Sequence, residues 1–199
     1  MHCEYNEKHA VYRCSVCGRL LCAKHVKLGT VCASHAKKSE LSFTVRRVTS
    51  EGERSTIRKF VTRFWGEEEQ LTFDRKFAVA ELPAYVAKVE NHTIGFISFG
   101  ETREAVIVVA MGVLPQYQYF GIGKRLIRKV EIEAKRLRKR KMLVSTSNDD
   151  LPALAFYQSR GFHIYEVKPN VIAQKHGAVL RGIGGLPVRD ELRLQKTLG

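Results

Sequence analysis

The placement of the cysteines constrains this chain more than any other feature. All five cysteines lie within the first 32 of its 199 residues, and the rest of the chain has none. A polar stretch, AKKSE at residues 36–40, follows the last of them, and strand-like alternation begins at Leu41. With 44% apolar residues, the chain is long enough for one average domain plus a small module. We therefore predict a small domain over residues 1–38 and a larger one over 41–199.

The small domain has the spacing of zinc ligands, C-x5-H-x4-C-x2-C-x4-C-x2-H-x6-C-x2-H. The eight candidate ligands are Cys3, His9, Cys14, Cys17, Cys22, His25, Cys32 and His35. Eight ligands complete two tetrahedral sites, and an odd number of cysteines argues against a disulfide framework. Both zinc ions are expected to be structural, since four protein ligands leave no position for water and so short a module has little core of its own.

The order of the ligands suggests that the first and third pairs hold one zinc ion and the second and fourth pairs the other. The arrangement resembles the B-box-like double-zinc fingers over about the first 35 residues, which implies a surface for a protein partner. Such a finger usually places its second ligand three residues after Cys3, where this chain has Asn6. We assign His9 to that position, with His2 as the alternative. The competing interpretation is that these Cys and His residues only pack in a core.

The larger domain is predicted to contain an antiparallel meander followed by alternating helices and strands. The expected strands cover residues 42–48, 85–90, 93–100, 105–113, 142–146, 162–167 and 188–198. The expected helices cover 55–64 and 151–160, with a long helix between the strands at 105–113 and 142–146. The segment AVIVVAMGV at 105–113 is apolar on both faces and should be a central strand. In the helix after it, Leu126, Ile127, Val130, Ala134 and Leu137 form one apolar stripe.

Between that strand and that helix lies QYQYFGIGKRL, with Gly121 and Gly123 just before two cations. Backbone N–H groups and the helix dipole converge at such a junction, so it is suited to bind phosphate, and the glycines would let a pyrophosphate touch the main chain. A dinucleotide-binding turn is disfavoured because it requires G-x-G-x-x-G in a parallel unit. A P-loop is excluded because the segment lacks G-K-[ST].

The segment Gln118-Tyr119-Phe120-Gly121-Ile122-Gly123 resembles the acetyl-CoA loop Q-x-x-G-x-G of the GNAT superfamily of N-acetyltransferases. A second signature of that superfamily is similar to ALAFYQSRGF at residues 153–162, and the order of elements agrees over about 42–199. The resemblance implies an α/β (α+β) fold with a mixed, mostly antiparallel sheet that splays between the strands at 105–113 and 142–146. It also implies an enzyme in which an amine attacks the thioester of acetyl-CoA directly.

The resemblance further implies roles for particular residues. Tyr157 would lie near the thioester sulfur and protonate the departing thiolate. The backbone at Met111, Gly112 and Val113 would hold the acetyl and pantetheine arm. The residues expected at the pyrophosphate are Gln118, Tyr119, Phe120, Gly121, Ile122, Gly123, Lys124 and Arg125. Relatives often carry Asn three residues before Ala153, where this chain has Asp150, so both Asp150 and Asn148 are candidate contacts to the cofactor.

The general base has no obvious candidate, because many relatives carry a Glu on the central strand and AVIVVAMGV has no acid. A water chain or a carboxylate from elsewhere would take the proton, and Glu81, Asp190 and Glu191 are candidates, each also expected as an ordinary surface or ion-pairing acid. The resemblance implies that the acceptor is an amine of a protein, peptide or small molecule. Segments 65–76 and 168–187, which should select it, contain no motif that identifies it.

The net charge of +14 indicates anionic partners, and ten Lys or Arg against two Glu lie between residues 124 and 141. A solvated helix face is favoured over a nucleic-acid footprint because no aromatic platform accompanies the cations.

No apolar run approaches the ~20 residues that span a bilayer, and no signal peptide is evident, so we expect a cytoplasmic protein without a membrane partner. The alternative to the enzyme is a zinc-finger adaptor that binds protein or nucleic acid and uses the acyltransferase fold as a scaffold.

Overall fold

The computed structural model describes residues 2, 7, 8, 10, 12–14, 19–21 and 41–199. In the N-terminal part, β1 (Tyr12–Arg13) pairs antiparallel with β2 (Leu20–Leu21). Cys14 is buried directly after β1, and its N–H donates to the Arg19 carbonyl at 2.7 Å. Cys14 is the one predicted zinc ligand in the described part of the chain. Cys3, His9, Cys17, Cys22, His25, Cys32 and His35 lie outside the described residues, as does Asn6, whereas the alternative ligand His2 is described and exposed.

A seven-stranded sheet forms the larger domain. Its strands are β3 (Thr44–Arg47), β6 (Ala84–Val89), β7 (His92–Glu101), β8 (Ala105–Val113), β9 (Lys141–Ser147), β10 (His163–Lys168) and β13 (Glu191–Thr197). They are arranged in the order β10-β13-β9-β8-β7-β6-β3, and every pair is antiparallel except β8 with β9. The predicted mixed, mostly antiparallel sheet is therefore confirmed, with β8 near its centre.

Helices cover both faces of this sheet. They are α1 (Glu51–Trp65), α2 (Ile122–Arg136), α3 (Leu151–Gln158) and α4 (Val171–His176). The apolar stripe of α2 packs with Tyr157 and Phe162 into one core, and α1 packs with Phe96 into another on the opposite face. Helix α1 begins four residues earlier than predicted because the Ser50 side chain accepts a hydrogen bond from the Glu53 N–H.

An extra residue in β8 breaks the alternation of its side chains. Ser98 of β7 pairs with Ala110 and Phe99 pairs with Val108, so Val109 has no partner on β7. The pairing of β8 with β9 ends at the same place, with Val108 opposite Val144. Because a bulge bends its strand and increases the local twist, β8 leaves β9 at this position. The predicted divergence of these two strands is confirmed, and the bulge is its local cause.

Several elements were not predicted from the sequence. Strands β4 (Glu69–Thr72) and β5 (Arg75–Ala78) form a hairpin where a loop was expected. Helix α4 and the short pair β11 (Leu180–Arg181) and β12 (Pro187–Val188) lie in the other expected loop. Short 3-10 helices cover Val79–Glu81, Pro115–Tyr117 and Ile183–Gly185. Among the residues described, no helix is both long and apolar enough to cross a bilayer.

The turn between β4 and β5 lacks the glycine that usually marks such a turn, so the hairpin was not predicted from the sequence. Phe73 and Asp74 both have positive φ, 51° and 58°, as a two-residue turn of this kind requires, but neither is glycine. Partners from β13 stabilise the turn, since Glu191 accepts from the Phe73 N–H at 3.2 Å and Arg193 pairs with Asp74 at 3.0 Å. The turn therefore depends on tertiary contacts that the local sequence does not reveal.

We predict that Gly112→Ala destabilises the fold by about 1–2 kcal/mol, because overpacking a filled position forces its neighbours apart. A Cβ at Gly112 would lie 2.8 Å from Cε2 of Phe64 and 3.2 Å from Cε1 of Phe96. The matched control is Gly52→Ala in the first turn of α1, where a Cβ would meet nothing within 4 Å. Urea unfolding checks both variants. Equal stability of Gly112→Ala and wild type would contradict the close packing of β8 on α1.

Candidate active site

The loop between β8 and α2 presents backbone N–H groups at the start of the helix. Gly121 caps α2 in the left-handed conformation with φ 81°, and the first helical hydrogen bond runs from the Arg125 N–H to the Gly121 carbonyl at 3.0 Å. The N–H groups of the three residues between them therefore have no acceptor within the helix. Tyr119 also has positive φ, 68°, which turns the chain sharply before Phe120. This geometry is suited to an anion.

The two glycines of the loop have different roles. A Cβ at Gly121 would meet nothing within 4 Å, so this glycine is required by its backbone conformation. A Cβ at Gly123 would lie 3.3 Å from Cζ of Phe156 and 4.0 Å from Cε of Met111. Gly123 therefore lets α3 pack against the start of α2. The role of both glycines in the approach of phosphate stays a prediction, and the packing against Phe156 and Met111 gives Gly123 a structural reason of its own.

Three of the residues predicted to contact the cofactor have side chains that form hydrogen bonds within the protein. The Gln118 amide donates to the Val113 carbonyl at 3.2 Å, and the Arg125 guanidinium donates to the Phe43 carbonyl at 3.1 Å while lying over the Phe43 ring. The Asn148 oxygen accepts from the N–H groups of residues 189 and 190, and its amide donates to the carbonyl of residue 187. A cofactor-binding role for these three side chains stays a prediction that these contacts do not support.

Where β8 and β9 separate, they border a cleft of about 280 Å³. Its lining combines the two diverging strands with α3 and with the elements that the sequence did not predict. The strands and α3 contribute Val108, Val109, Ala110, Met111, Val144, Ser145, Thr146, Ser147, Asp150, Ala153 and Tyr157. The opposite wall consists of Trp65, Glu67, Gln70, Leu71, Thr72, Val171, Ile172, Lys175, His176, Val188 and Glu191. The cleft therefore extends from the α3 side of the sheet to the β4–β5 side.

Tyr157 lines this cleft from α3 and is 6% exposed. Its ring packs edge-on against Phe156 and Phe162, with centroids 5.3 and 5.7 Å apart. Burial raises the pKa of the phenol, and the negative charge of Asp150 raises it further. The phenol carries its proton at neutral pH, as an unperturbed tyrosine does, and the raised pKa makes it a weaker acid than an unperturbed tyrosine.

Asp150 has a structural role at the start of α3. Its carboxylate accepts from the Ala153 N–H at 3.0 Å and so caps the helix, and it also lines the cleft. Burial is the main cause that raises the pKa of this carboxyl, and the neighbouring Asp149 adds to the effect. The structure thus places Asp150 in the cleft, whereas Asn148 holds the segment that leads into β13.

Of the three carboxylates considered as general base, the structure brings Glu191 to the cleft. Glu81 is exposed on a 3-10 helix and pairs with Arg58 at 2.6 Å. Asp190 pairs with Arg189, which lowers the pKa of its carboxyl. Glu191 lines the cleft but is fully engaged, because it accepts from Thr72, the Phe73 N–H and Arg193. Its position is better suited to holding the cleft wall than to accepting a proton.

The cleft also contains titratable groups that sequence reasoning missed. Glu67 precedes β4, and Lys175 and His176 end α4; Glu67 and Lys175 form an ion pair. Glu67 lies in one of the two segments expected to select the acceptor, and the two α4 residues lie in the other. No pattern in those segments identified individual residues, since the side chains meet only after the β4–β5 hairpin and α4 have packed.

A second groove, of about 500 Å³, lies beside α2 and the end of α3. Its basic lining residues are Lys124, Arg128, Lys135, Arg160 and Lys196. Lys196 pairs with Glu131 at 2.8 Å, which leaves an excess of positive charge along the groove. Arg128 and Lys135 belong to the basic run that the sequence analysis assigned to a solvated helix face, yet they line the same groove as Lys124. Part of the basic run on α2 therefore belongs to a concave surface that begins at the loop.

Comparison with known proteins identifies the family. Residues 53–162, more than half of the chain, match the model of the Acetyltransferase (GNAT) family. The chain belongs to the GNAT acetyltransferase family. An IAA acetyltransferase from Bacillus cereus ATCC 14579 is a similar solved structure, with 26% identity, a TM-score of 0.66, and coverage of 79% of this chain and 100% of that chain. This GNAT protein is accordingly an N-acetyltransferase.

Other relatives agree with this fold. The GNAT domain is similar to a GNAT family acetyltransferase from Elizabethkingia anophelis with acetyl-CoA bound, at 20% identity and a TM-score of 0.59, covering 78% of this chain and 98% of that one. The uncharacterized protein YxbD of Bacillus subtilis (strain 168) is 26% identical over 147 residues, which are 71% of this chain and 91% of the relative. The family match begins at residue 53, downstream of all the cysteines.

Proposed function

We propose that this enzyme binds acetyl-CoA across the gap between β8 and β9 and transfers the acetyl group directly to an amine that enters from the β4–β5 side. The observation that supports this most is the cleft itself, which passes between the diverging strands and contains the buried phenol of Tyr157. The acceptor amine belongs to a protein, a peptide or a small molecule. We place the enzyme in the cytoplasm.

The donor half of the proposal rests on free backbone groups. From Ala110 onwards β8 still pairs with β7, but its pairing with β9 has ended, and Val109, Ala110 and Met111 line the cleft. An extended acyl arm can hydrogen-bond the open edge of a strand as an added strand does. Met111, Gly112 and Val113 occupy this part of β8. Since Met111 also lies near Gly123, the arm would continue directly towards the N–H groups at the start of α2.

The phosphates would occupy the start of α2 and the basic groove beside it. The N–H groups of Ile122, Gly123 and Lys124 and the positive end of the helix dipole attract the pyrophosphate. Lys124 also lines the second groove, where Arg128 and Arg160 add positive charge for a further phosphate. The proposal keeps the predicted contacts through backbone amides and adds the charge of Lys124, while the side chains of Gln118 and Arg125 bind carbonyls within the protein.

In the chemical step the lone pair of a neutral amine attacks the thioester carbonyl carbon. A C–N bond forms, the C–S bond breaks, and the departing thiolate takes the proton of the Tyr157 phenol. The Tyr157 phenolate then takes the proton that the attacking nitrogen loses as the neutral amide forms. Tyr157 lines the cleft and is protonated at neutral pH, so it can act as the proton donor. The incoming ammonium loses its proton to water in the cleft, because Glu191 is already bound to Thr72, Phe73 and Arg193.

The cysteine-rich module is proposed to hold two structural zinc ions and to contact a protein partner. The support is the spacing of the eight candidate ligands together with Cys14, a buried thiol at the end of β1 in a tight hairpin. The hairpin strands flank the C-x2-C segment, and the Cys14 N–H binds the Arg19 carbonyl across it. The spacing C-x2-C is typical of two thiolates that bind one zinc ion. Among the described residues no cluster of three or more metal ligands is present.

We predict that the protein purified under reducing conditions contains roughly two zinc ions per chain and that Cys14→Ser lowers the content by about one or more. Ser15→Ala, the adjacent residue with no metal-binding chemistry, is the control and should retain both ions. Plasma emission spectrometry measures the content. A metal-free protein, or a Cys14→Ser variant with the full zinc content of wild type, would show that the module is not a zinc site.

We predict that Tyr157→Phe lowers kcat about 10²-fold at neutral pH, the usual contribution of general acid catalysis, while acetyl-CoA affinity is retained because the ring remains. The loss should shrink at alkaline pH, where a thiolate leaves without help, since a thiol of the cysteine type ionises near pH ~8.5. The control is Tyr165→Phe, which removes an exposed phenol from β10. Kinetics use an acceptor found by screening peptides, polyamines and amino acids. An unchanged kcat with chemistry rate-limiting would remove Tyr157 from the mechanism.

A further inference from the structure

One lysine of the chain itself lies in the proposed acetyl-transfer cleft. Lys175 lines the cleft together with Tyr157, Val108 and Met111, and its side chain is 23% exposed. Its ammonium pairs with the Glu67 carboxylate on the opposite segment before β4. The amine therefore occupies the side of the cleft from which we expect an acceptor to enter.

The position of Lys175 is fixed by the anchoring of α4. The Asn170 N–H donates to the Asp190 carboxylate at 2.8 Å, and the N–H groups of Ile172 and Ala173 point to the Arg189 carbonyl at 3.0 and 3.2 Å. Residues 189 and 190 lead directly into β13, whose first residue, Glu191, is itself in the cleft wall. This attachment holds the last turn of α4, and Lys175 with it, against the cleft.

Other partly buried lysines of the described chain have partners elsewhere. Lys139 donates to the Thr102 carbonyl and pairs with Glu101, and Lys88 pairs with Glu53. Lys196 pairs with Glu131 and lines the second groove. Within the part of the chain that the structure describes, Lys175 is the lysine that shares the cleft with the proposed proton donor.

We propose that Lys175 is an acetyl acceptor within its own chain, so that the enzyme acetylates itself at this position. The inference rests on the acetyl-donor site proposed above. Lys175 leaves Glu67 and loses a proton to water, and its neutral Nζ attacks the thioester carbon. An amide bond forms, the C–S bond breaks, and the thiolate takes the proton of Tyr157. The Tyr157 phenolate then takes the proton that Nζ loses as the neutral amide forms. Acetyl-CoA is the acetyl donor, and no other reactant is needed.

Acetylation would change the charge of the cleft. The amide at Lys175 is neutral, so Glu67 loses its cationic partner while Glu191 remains neutralised by Arg193. An exposed carboxylate at the acceptor side attracts a cationic amine. Self-acetylation would therefore empty the acceptor position of its internal amine and leave Glu67 to bind the ammonium of an external acceptor.

The test incubates the full-length protein with acetyl-CoA labelled with deuterium in the acetyl group, without added acceptor, and follows each lysine by peptide mass spectrometry. Lys175 should be labelled at least about ten-fold faster than Lys59, an exposed lysine on α1, because it is held beside the donor. The labelling should be first order and independent of protein concentration. Lys59→Arg should leave labelling of Lys175 unchanged, and Tyr157→Phe should slow Lys175 without affecting Lys59.

Labelling of Lys175 no faster than Lys59, or equal in wild type and Tyr157→Phe, overturns the inference. Calorimetry with acetyl-CoA and acetylation of a screened amine separate this outcome from failure of the proposed function. If acetyl-CoA binds and an external amine is acetylated while Lys175 stays unlabelled, self-acetylation is wrong and the proposed function stands. If acetyl-CoA does not bind, both proposals are wrong.

Discussion

The end of the pairing between β8 and β9 is the constraint on which the rest of the site depends. One unpaired residue, Val109, bends β8 just where its parallel contact with β9 stops. A sheet that stayed closed would satisfy every backbone group in its interior and leave no room for a substrate. Here the edge of β8 is left open inside the molecule, and the cleft forms along it.

The two faces of the sheet supply the two halves of this site. On one face, α2 contributes the N–H groups after Gly121 that have no acceptor within the helix, and α3 contributes the buried phenol of Tyr157. Both lie where β8 and β9 separate. On the other face the β4–β5 hairpin and α4 close the cleft with a polar wall that includes the pair between Glu67 and Lys175. The donor half binds through backbone N–H groups and the helix dipole, which do not depend on the identity of the side chains. The acceptor half binds through side chains, which can differ between relatives.

Much of the donor half could be predicted from the sequence, because its signals are local. The apolar run of β8, the stripe of α2 and the glycine at the start of that helix each follow from neighbouring residues, and the match to the GNAT family confirms the fold. The bulge at Val109 could not be predicted, since it appears only when β8 is aligned with β7. The hairpin turn at Phe73 and Asp74 has no glycine, and α4 is held by contacts with residues near 190. The residues of the acceptor half could therefore be identified only from the tertiary structure.

Hydrogen–deuterium exchange with and without saturating acetyl-CoA tests the central claim most directly. If the donor lies along the open edge of β8 and against the start of α2, exchange should slow at the amides of residues 109–113 and 122–124. Residues 44–47 in β3, at the far edge of the sheet, should be unaffected and serve as the internal reference. Protection confined to other segments, with 109–113 and 122–124 unchanged at saturation, would contradict the placement of the donor in the gap between β8 and β9.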